Sequence, residues 1–495
     1  MNILLINSPN ETDNSLENAN YSLFPHIGIV QLATRLEEDF GELINVEVID
    51  GGIKTISEIK QKIVRFEPSI VGISVLTPTY GEGLKIASFA KQRGAIVVLG
   101  NDHAIFFPKE ILSNRSEIDY VITNDVAEKP FSDLVSCIIQ KTSVQEVDSL
   151  AYWNNGEVFI NPVKQYSLKD KNTVPNLDFI KNDLAKYSKK YYSQHGHLHG
   201  EEVNVVTINN ARGCENKLRC SYCSIADLRV TTGDPVQFWE TVTRYHDKYN
   251  INLFFEVYDS FTASPRYIKS LLDTMPAYVR RKIENGNIEF MIYARTLGLL
   301  ARDNVNKFRE LGVRRVNIGL DSGDADILEA QRKNKTTDKT NIDALKLLSK
   351  ADMSVHGSFM LGAAGETFST VKRTTNHIKE IMELVEFSSI EVSRLYPLPN
   401  SPIWDMLVDY FNPQFYKNSK EIDSVLAKLN LYIPAAKHVE LASKYKGADL
   451  FNKEELMSDW YQNFTHIDED FAVSEIQKLD DFIEMKNIQT GKNVG

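Results

Sequence analysis

Short β-rich runs alternate with amphipathic helical runs over residues 2–141, and this alternation constrains the fold more than any other feature. The predicted strands are residues 2–7, 45–50, 69–76, 95–100 and 120–123. The predicted helices are residues 27–38, 56–66, 80–93, 108–114 and 131–141. This pattern is typical of an α/β unit in which helices cover both faces of a doubly wound, Rossmann-type parallel sheet.

Polar residues follow the third, fourth and fifth predicted strands of this first unit. Ligands of doubly wound sheets bind beyond the carboxyl ends of the strands. The candidate binding residues of the first unit are therefore Thr77, Gly100, Asn101, Asp102, His103 and Asn124.

A second alternation begins at residue 203. Its predicted strands are residues 203–208, 253–259, 288–294, 315–321, 355–362 and 389–397. Six strand–helix units in succession predict a partial (β/α)6 barrel of the TIM type, with the active site at the carboxyl ends of its strands. Between the two units, a β-hairpin is predicted at residues 151–161. The expected division is a first unit at 1–142, a connector at 143–200, a barrel at 201–405 and a helical C-terminal region at 406–495.

The overall charge and the cysteine content disfavour several classes of protein. A formal net charge of -11 over 495 residues gives no electrostatic reason to expect a nucleic-acid partner. The N-terminus has no basic leader or small-residue cleavage site, and no run of about 18 apolar residues predicts a membrane span. Four cysteines in so long a chain do not make a disulfide framework, so a reducing, cytoplasmic location is expected.

Three of the four cysteines lie within ten residues, in RGCENKLRCSYC at 212–223, directly after the first strand of the second unit. Thiolates suit zinc or iron–sulfur clusters. A structural zinc site needs four ligands, whereas Cys214, Cys220 and Cys223 are three. The fourth cysteine, Cys137, fits the apolar pattern of a helix in the first unit. Three thiolates on a four-iron cluster leave one iron open for chemistry, and zinc with a borrowed histidine is the alternative.

The cysteine motif, with an aromatic residue before its last cysteine, resembles that of the radical S-adenosylmethionine (SAM) superfamily. The usual pattern of that family is Cys-x3-Cys-x2-Cys, so the first gap here is two residues longer. Five later segments resemble family patterns in the family order: VYDSFTAS (257–264), IYART (292–296), NIGLDSGDADIL (317–328), GSFMLGAAGET (357–367) and YPLPNSPIWD (396–405). Ala364 stands where that family usually has proline.

The resemblance implies that the three cysteines hold a [4Fe-4S] cluster whose open iron binds SAM. Reductive cleavage of SAM then gives a 5′-deoxyadenosyl radical. The residues that the resemblance implies for SAM binding are Tyr222, Asp259, Ser260, Arg295, Gly319, Asp321, Ser322 and Gly362. Arg394 and Tyr396, at the end of the sixth strand, are candidates for contact with the substrate.

The first unit is similar to the cobalamin-binding domains that precede radical SAM barrels. The segments that carry this similarity are HIGIVQLATRLEE, IVGIS, VVLGNDHA and IDYVITNDVAEKPFSDL, followed by the linker-like VPNLDFI at 174–180. The chain lacks the Asp-x-His-x-x-Gly signature, which implies cobalamin without a protein histidine on cobalt. It also has GND where the family has GGP or GGH.

The expected function is that of a cobalamin-dependent radical SAM enzyme that methylates an unactivated carbon of a small-molecule or natural-product substrate. A flavodoxin or ferredoxin would supply electrons. One alternative is a radical rearrangement, oxidation or cyclisation without methyl transfer, with cobalamin as a redox partner or absent. A second is a degenerate protein that binds SAM or cobalamin without catalysis. A tRNA methylthiotransferase is disfavoured, because that class carries a second cysteine trio near its N-terminus.

Overall fold

The computed structural model describes residues 1–10, 23–168, 174–195, 203–301, 303–333, 335–384, 389–408, 431 and 433–489. The first unit is a seven-stranded sheet in the order β2-β1-β3-β4-β5-β6-β7. Its strands are β1 (Asn2–Asn7), β2 (Asn45–Asp50), β3 (Ile70–Ser74), β4 (Ile96–Gly100), β5 (Tyr120–Ile122), β6 (Leu150–Asn154) and β7 (Glu157–Ile160). Its helices are α1 (Ile27–Phe40), α2 (Ile56–Phe66), α3 (Tyr80–Lys91), α4 (Asp102–Phe106), α5 (Pro108–Asn114) and α6 (Glu128–Gln140).

Strands β1 to β5 are parallel, as the sequence predicts, and the central strands β1, β3 and β4 carry buried apolar runs, whereas the edge strand β2 is only partly buried. In β1, residues 3–6 are each at most 1% exposed, which is the pattern of a central strand covered by helices on both sides. The α2 helix begins with a capping box in which Thr55 and Glu58 satisfy each other's backbone amides.

The hairpin β6–β7 corrects the predicted organisation of the first unit. It pairs antiparallel with β5, with Leu150 opposite Ile122 and Tyr152 opposite Tyr120. The sheet is therefore mixed rather than wholly parallel, and it extends to residue 160, beyond the predicted boundary at 142. Burial of Leu150, Ala151 and Tyr152 against α5 and α6 explains why the hairpin joins the sheet rather than standing alone in a connector.

The second unit is a six-stranded parallel sheet in which the strands follow one another in chain order. Its strands are β8 (Val205–Ile208), β11 (Leu253–Glu256), β12 (Glu289–Ala294), β13 (Val313–Asp321), β14 (Ser354–Leu361) and β15 (Ser389–Arg394). In the described residues, β8 and β15 do not pair, so the barrel is open. A small ribbon of β9 (Ala211–Arg212) and β10 (Thr231–Thr232) follows β8.

Helices cover the outside of this barrel, as its strand–helix alternation predicts. They are α7 (Leu184–His195), α8 (Pro235–Tyr249), α9 (Pro265–Thr274), α10 (Ala277–Glu284), α11 (Thr296–Leu299), α12 (Asn304–Glu310), α13 (Ala325–Ala330), α14 (Asp338–Lys350) and α15 (Phe368–Leu384). The α7 helix precedes β8 and differs from the others, because its Tyr187 and Tyr191 pack on the inner face of the first strands. The other helices follow their strands.

The described part of the C-terminal region is helical, as predicted, and it contacts both units; residues 409–430 lie outside the described residues. Its helices are α16 (Pro402–Val408), α17 (Ala435–Tyr445), α18 (Lys453–Phe464) and α19 (Glu469–Gln489). Trp460 donates its indole N–H to the Gly362 carbonyl at 2.8 Å, which fixes α18 on the end of β14. Asp449 accepts hydrogen bonds from Tyr80 and Asn114 and pairs with Arg115 of the first unit.

Within the described residues, no helix is long and apolar enough to cross a membrane.

Candidate active site

The three clustered cysteines lie on one loop after β9, at the carboxyl end of the first barrel strand. The amide of Cys223 donates to the Cys220 carbonyl at 3.0 Å, and the amide of Cys214 donates to Leu228 at 3.2 Å. Gly213 has φ +91°, and a Cβ there would collide with the backbone of Arg229. Glycine is therefore required at the turn that presents Cys214.

The long first gap of the motif forms an anchored turn. The Arg219 amide donates to the Asn216 carbonyl at 3.0 Å, and Arg219 takes the left-handed conformation at φ +53°. Asn216 is buried, and its side-chain amide donates to Cys220 Sγ at 3.2 Å and to the Arg332 carbonyl at 3.0 Å. The Arg219 guanidinium donates at 2.6 Å to the carbonyls of Asn400 and Ile225. The two extra residues are thus accommodated by a turn that fixes Cys220.

A buried ion pair stands beside the thiols. Lys333 and Asp321 pair with side-chain exposures of 10% and 4%, and the Tyr222 hydroxyl donates to the same carboxylate at 2.8 Å. Burial lowers the pKa of Lys333, and negative charge on Cys220 opposes that effect. Arg295 donates to the Lys333 carbonyl at 3.4 Å. Residues that follow the third and fourth barrel strands therefore place one carboxylate and two cations next to the cysteine loop.

The donor set fits an iron–sulfur cluster better than zinc. Burial raises the pKa of Cys214 to about 12 and also raises that of Cys223, so without a cation these thiols keep their protons. In the part of the chain that the structure describes, no three His, Cys, Asp or Glu side chains are placed to share a single metal ion. A four-iron cluster binds each cysteine through a different iron, so its ligands need not converge on one ion.

The structure gives several of the predicted SAM-binding residues internal partners. Ser322 is fully buried, and its hydroxyl contacts Thr374 at 2.9 Å and accepts from the Asp324 amide at 3.1 Å. Ser260 is also fully buried and bonds to Thr262 at 3.0 Å. These two hydroxyls shape the turns after their strands.

Three other predicted SAM-binding residues differ in their position relative to the cysteine loop. Asp259 accepts from the Gly213 amide at 2.6 Å, next to Cys214. A Cβ on Gly319 would lie 3.2 Å from the Asp321 carboxylate and 3.3 Å from Lys333, so Gly319 lines the ion pair. Gly362, at φ +97°, instead lies against Tyr461 of α18 and faces the C-terminal region.

Arg394 and Tyr396, predicted to touch the substrate, contact the C-terminal region. Arg394 pairs with Glu469 at the start of α19. The Lys453 ammonium lies 5.6 Å from the centre of the Tyr396 ring. The structure therefore uses the end of the sixth strand to hold the C-terminal region.

A cavity of about 160 Å³ opens at the carboxyl edge of the first sheet. Gly100, Asn101 and Asn124 of the predicted set line it, together with Gly28 and Gly72. Asn101 has φ +76° and donates to Ser74 at 2.9 Å, so it forms the sharp turn after β4. Asn124 donates to the Lys164 carbonyl at 2.6 Å, which ties the cavity wall to the segment after β7.

Thr77 and His103 are not among the residues that line this cavity. The His103 ring is 1% exposed, bonds to the Thr77 hydroxyl at 3.1 Å and contacts the Asp449 carbonyl at 2.9 Å. It stacks on Tyr80 at a centroid distance of 4.1 Å, and burial lowers its pKa to about 4. His103 is a packed contact to the C-terminal region, and its predicted contact with a cofactor stays a prediction.

Asp102 lies between the two units rather than in the cavity. Burial raises its pKa to about 6, and the nearby carboxylates of Asp125 and Asp259 contribute. Asp125 in turn pairs with Arg212, next to the cysteine loop. The carboxyl edge of the first sheet and the carboxyl end of the barrel therefore face each other.

A larger cavity, of about 860 Å³, occupies the mouth of the barrel and meets the first one. Four residues line both cavities: His26, Gly28, Asn101 and Asn209. Among the described residues, His26 Nδ1 is buried without a hydrogen-bond partner. A Cβ on Gly100 would meet nothing nearer than Ile122 at 3.9 Å, so this glycine leaves open space. The two joined cavities thus offer open space beside Gly100 and an unsatisfied ring nitrogen on His26. These features fit a large cofactor between the sheet and the barrel.

Two family models match the chain. The model described as the radical SAM superfamily matches residues 208–378, and the one described as the B12 binding domain matches residues 20–134. The chain carries a radical SAM domain behind a B12-binding domain. A radical SAM domain implies a [4Fe-4S] cluster and SAM, and a B12-binding domain implies cobalamin, so the predicted cofactors are confirmed. The cavity at the edge of the first sheet lies within the B12-binding domain.

Two curated relatives are named as enzymes, one as a methyltransferase and one as a cyclase. An uncharacterized methyltransferase of Pyrococcus horikoshii is 25% identical over 416 residues, which cover 82% of this chain and 83% of that protein. The anaerobic magnesium-protoporphyrin IX monomethyl ester cyclase of Cereibacter sphaeroides is 23% identical over 330 residues, which cover 64% of this chain and 50% of that protein.

Two solved structures are similar to this chain in fold. The methyltransferase TsrM from Kitasatospora setae, with cobalamin and a [4Fe-4S] cluster bound, has a TM-score of 0.63 and 16% identity, covering 83% of this chain and 78% of that one. The cobalamin-dependent SAM radical enzyme OxsB, with aqua-cobalamin and SAM bound, has a TM-score of 0.64 and 16% identity, covering 99% and 81%. These likenesses confirm the fold.

Several residues at the site escape the sequence predictions. Lys333 follows a short helix, and nothing in its local pattern separates it from the exposed lysines of the chain. Asn216 lies in a gap that the family pattern does not include. Arg315 and Asn317 alternate with apolar Val316 and Ile318 on β13, so strand periodicity places the two polar side chains on the inner face of the barrel. That alternation is the signal that could have identified them.

Proposed function

We propose that this radical SAM enzyme is a cobalamin-dependent methyltransferase that methylates an unactivated carbon of a small-molecule substrate. The observation that carries the proposal is the junction of two cavities, one in the B12-binding domain and one in the barrel, which share four lining residues. A methyl carrier and a substrate could meet there without leaving the protein. The name of the Pyrococcus horikoshii relative, an uncharacterized methyltransferase, supports the methyl transfer in this proposal.

When bound, the cluster supplies the electron that cleaves SAM, and cobalamin carries the methyl group. The chain's own residues have three tasks in this proposal. The thiolates of Cys214, Cys220 and Cys223 hold three irons and leave one open. The Asn216 amide hydrogen bond orients Cys220. The cations of Lys333 and Arg295 and the carboxylate of Asp321 match the carboxylate and ammonium groups of SAM.

The barrel cavity supplies orientation and exclusion of water. Its walls include the aromatic rings of Phe24, Phe255 and Tyr293, which cover the space between the barrel and the first sheet. A substrate held against such walls keeps one carbon in a fixed position, which is the main contribution that a protein makes to the selectivity of radical chemistry. A flavodoxin or ferredoxin is the proposed electron donor.

A second candidate is a radical cyclisation or oxidation without methyl transfer. The relative named as a cyclase, from Cereibacter sphaeroides, supports this reading. The two candidates differ in what becomes of SAM. Methyl donation converts SAM to S-adenosylhomocysteine. Reductive cleavage by one electron converts SAM to methionine and a 5′-deoxyadenosyl radical, which becomes 5′-deoxyadenosine when it takes a hydrogen atom from the substrate.

The deciding experiment measures both products from the full chain, purified anaerobically with iron, sulfide and cobalamin supplied. SAM and a low-potential reductant are added, and the products are quantified by mass spectrometry. The methyltransferase proposal predicts both S-adenosylhomocysteine and 5′-deoxyadenosine. Formation of 5′-deoxyadenosine alone would instead support the cyclisation candidate, and formation of neither would contradict both.

Cysteine variants provide the internal control for that experiment. Cys214→Ala, Cys220→Ala or Cys223→Ala should abolish iron binding and the formation of 5′-deoxyadenosine. Cys137→Ala is the matched control, because Cys137 lies half-buried on α6 and donates to the Ser143 carbonyl at 3.4 Å. It should keep the iron content and the activity of the parent chain.

A further inference from the structure

A buried arginine in the barrel cavity has more donors than the described residues satisfy. Arg315 lies on β13, lines the large cavity and is 7% exposed. Its Nη2 donates to the Ser389 hydroxyl at 3.2 Å. Among the residues that the structure describes, its Nε and Nη1 have no hydrogen-bond partner and no carboxylate pairs with it. The Tyr191 hydroxyl lies beside the guanidinium, and Glu391 of the same cavity pairs with His356. Two of the three guanidinium nitrogens are therefore unsatisfied in a buried position.

A buried guanidinium without a counter-charge is costly, because its desolvation is not offset by an ion pair. An arginine with a purely structural role is therefore expected to be ion-paired with a carboxylate or exposed to solvent. The Arg315 charge faces a cavity large enough for a small molecule, so the missing partner can arrive with a ligand. We propose that Arg315 binds a carboxylate of the substrate, an inference that rests on the proposed function and names its substrate class.

The charges around Arg315 favour a monoanion. Glu391 lines the same cavity and pairs with His356, whose Nε2 lies 3.4 Å from that carboxylate. His356 Nδ1 bonds to Ser389 at 2.7 Å, so Ser389 connects the histidine to Arg315. One guanidinium near an existing carboxylate matches a ligand with a single negative charge. The Glu391 carboxylate would repel the second charge of a phosphate dianion.

The rest of the cavity fits an apolar, flat molecular body. Phe255 packs between Phe24 and Tyr293, with ring centroids 5.0 Å and 5.2 Å apart. Met291 adds an adaptable apolar surface. A cavity of about 860 Å³ is of the size that holds a small organic ligand. The substrate class is therefore an aromatic or similarly flat monocarboxylic acid, with its carboxylate on Arg315.

The first test uses two probes of equal shape, 1-naphthoate and 1-naphthamide, titrated into the full chain by calorimetry. The chain should bind naphthoate at least tenfold more tightly than the amide, and Arg315→Met should remove that difference. Arg280→Gln is the matched control, because Arg280 forms an exposed pair with Glu310 and should leave binding unchanged. Equal affinity for the two probes, or tighter binding of inorganic phosphate than of naphthoate, would overturn the inference.

The second test needs no ligand. If Arg315 is kept for a ligand, the apolar Arg315→Met side chain should raise the midpoint of thermal unfolding of the ligand-free chain. A lower midpoint would show that Arg315 serves the fold, and would overturn the inference even if naphthoate does not bind. SAM cleavage by the parent chain is measured in parallel. A parent that binds naphthoate but forms no 5′-deoxyadenosine would contradict the proposed function and leave the carboxylate site standing.

Discussion

Glu366 offers the sharpest prediction of stability, because a fully buried carboxyl group holds the loop after β14. Its Oε2 accepts from the amides of Gly362 at 2.5 Å and Ala363 at 3.1 Å, and Oε1 has no partner among the described residues. Burial outweighs these two hydrogen bonds and raises the pKa from 4.5 to about 7. The folded chain therefore binds a proton here that the unfolded chain releases above about pH 4.5.

The sign and size of the effect follow from that shift. The contribution of the proton to stability is fully present below pH 4.5 and is lost as the pH rises through 7. A shift from 4.5 to about 7, at about 1.36 kcal/mol per unit, corresponds to roughly 3 kcal/mol. Glu366→Gln keeps an oxygen that can accept from the same two amides and cannot ionise. At pH 8 the variant should be more stable than the parent by up to roughly 3 kcal/mol.

Urea unfolding of the full chain at pH 5 and pH 8, followed by tryptophan fluorescence, measures this difference. Trp460 donates to the Gly362 carbonyl and so reports on the same loop. The advantage of Glu366→Gln should fall to roughly 1 kcal/mol at pH 5. Glu284→Gln, on the exposed end of α10, is the control and should show no pH-dependent gain. Equal stability of parent and Glu366→Gln at pH 8 would refute the reasoning.

Two further substitutions test the contacts around the site. Lys333→Met should lower the free energy of unfolding by about 3–5 kcal/mol, because it leaves Asp321 buried and unpaired. Chemical denaturation should show that adding Asp321→Asn restores most of this loss, and an additive double variant would contradict the pairing. Asp449→Asn should cost about 2 kcal/mol, since it weakens charged hydrogen bonds with Tyr80 and Arg115. A thermal midpoint unchanged by Asp449→Asn would argue against this anchor.

The strands were predictable because each carries its own signal. The NILLIN run of β1 is buried on both faces, and the six barrel strands lie within or close to the segments that their apolar patterns predict. The hairpin was also predicted, but its place in the sheet was not. Pairing of Leu150 with Ile122 joins residues 28 positions apart, and local alternation gives no information about which strand a hairpin will join.

The sequence could not predict which contacts the site residues make with distant parts of the chain. Arg394 ends a strand that the family pattern places near the substrate, yet its partner is Glu469, 75 residues later. His103 lies at the carboxyl end of a strand, where ligands of such sheets bind. Its ring Nε2 is hydrogen-bonded to the carbonyl of Asp449. The C-terminal region carries no recognisable motif, so its contacts could not be predicted. The cysteine motif was informative because its chemistry is concentrated in ten adjacent residues.

The corrin content of the purified chain tests the central claim most directly, since the proposal depends on cobalamin between the sheet and the barrel. The chain and Gly100→Leu are purified anaerobically with iron, sulfide and cobalamin supplied, and iron and cobalt are measured per chain. Gly100 opens onto the smaller cavity without a positive φ, so leucine should fill that space without straining the backbone. We expect close to four irons and one corrin in the parent, and the same iron with no corrin in Gly100→Leu. A parent that holds iron but no corrin, or a Gly100→Leu variant that keeps the corrin, would contradict the account.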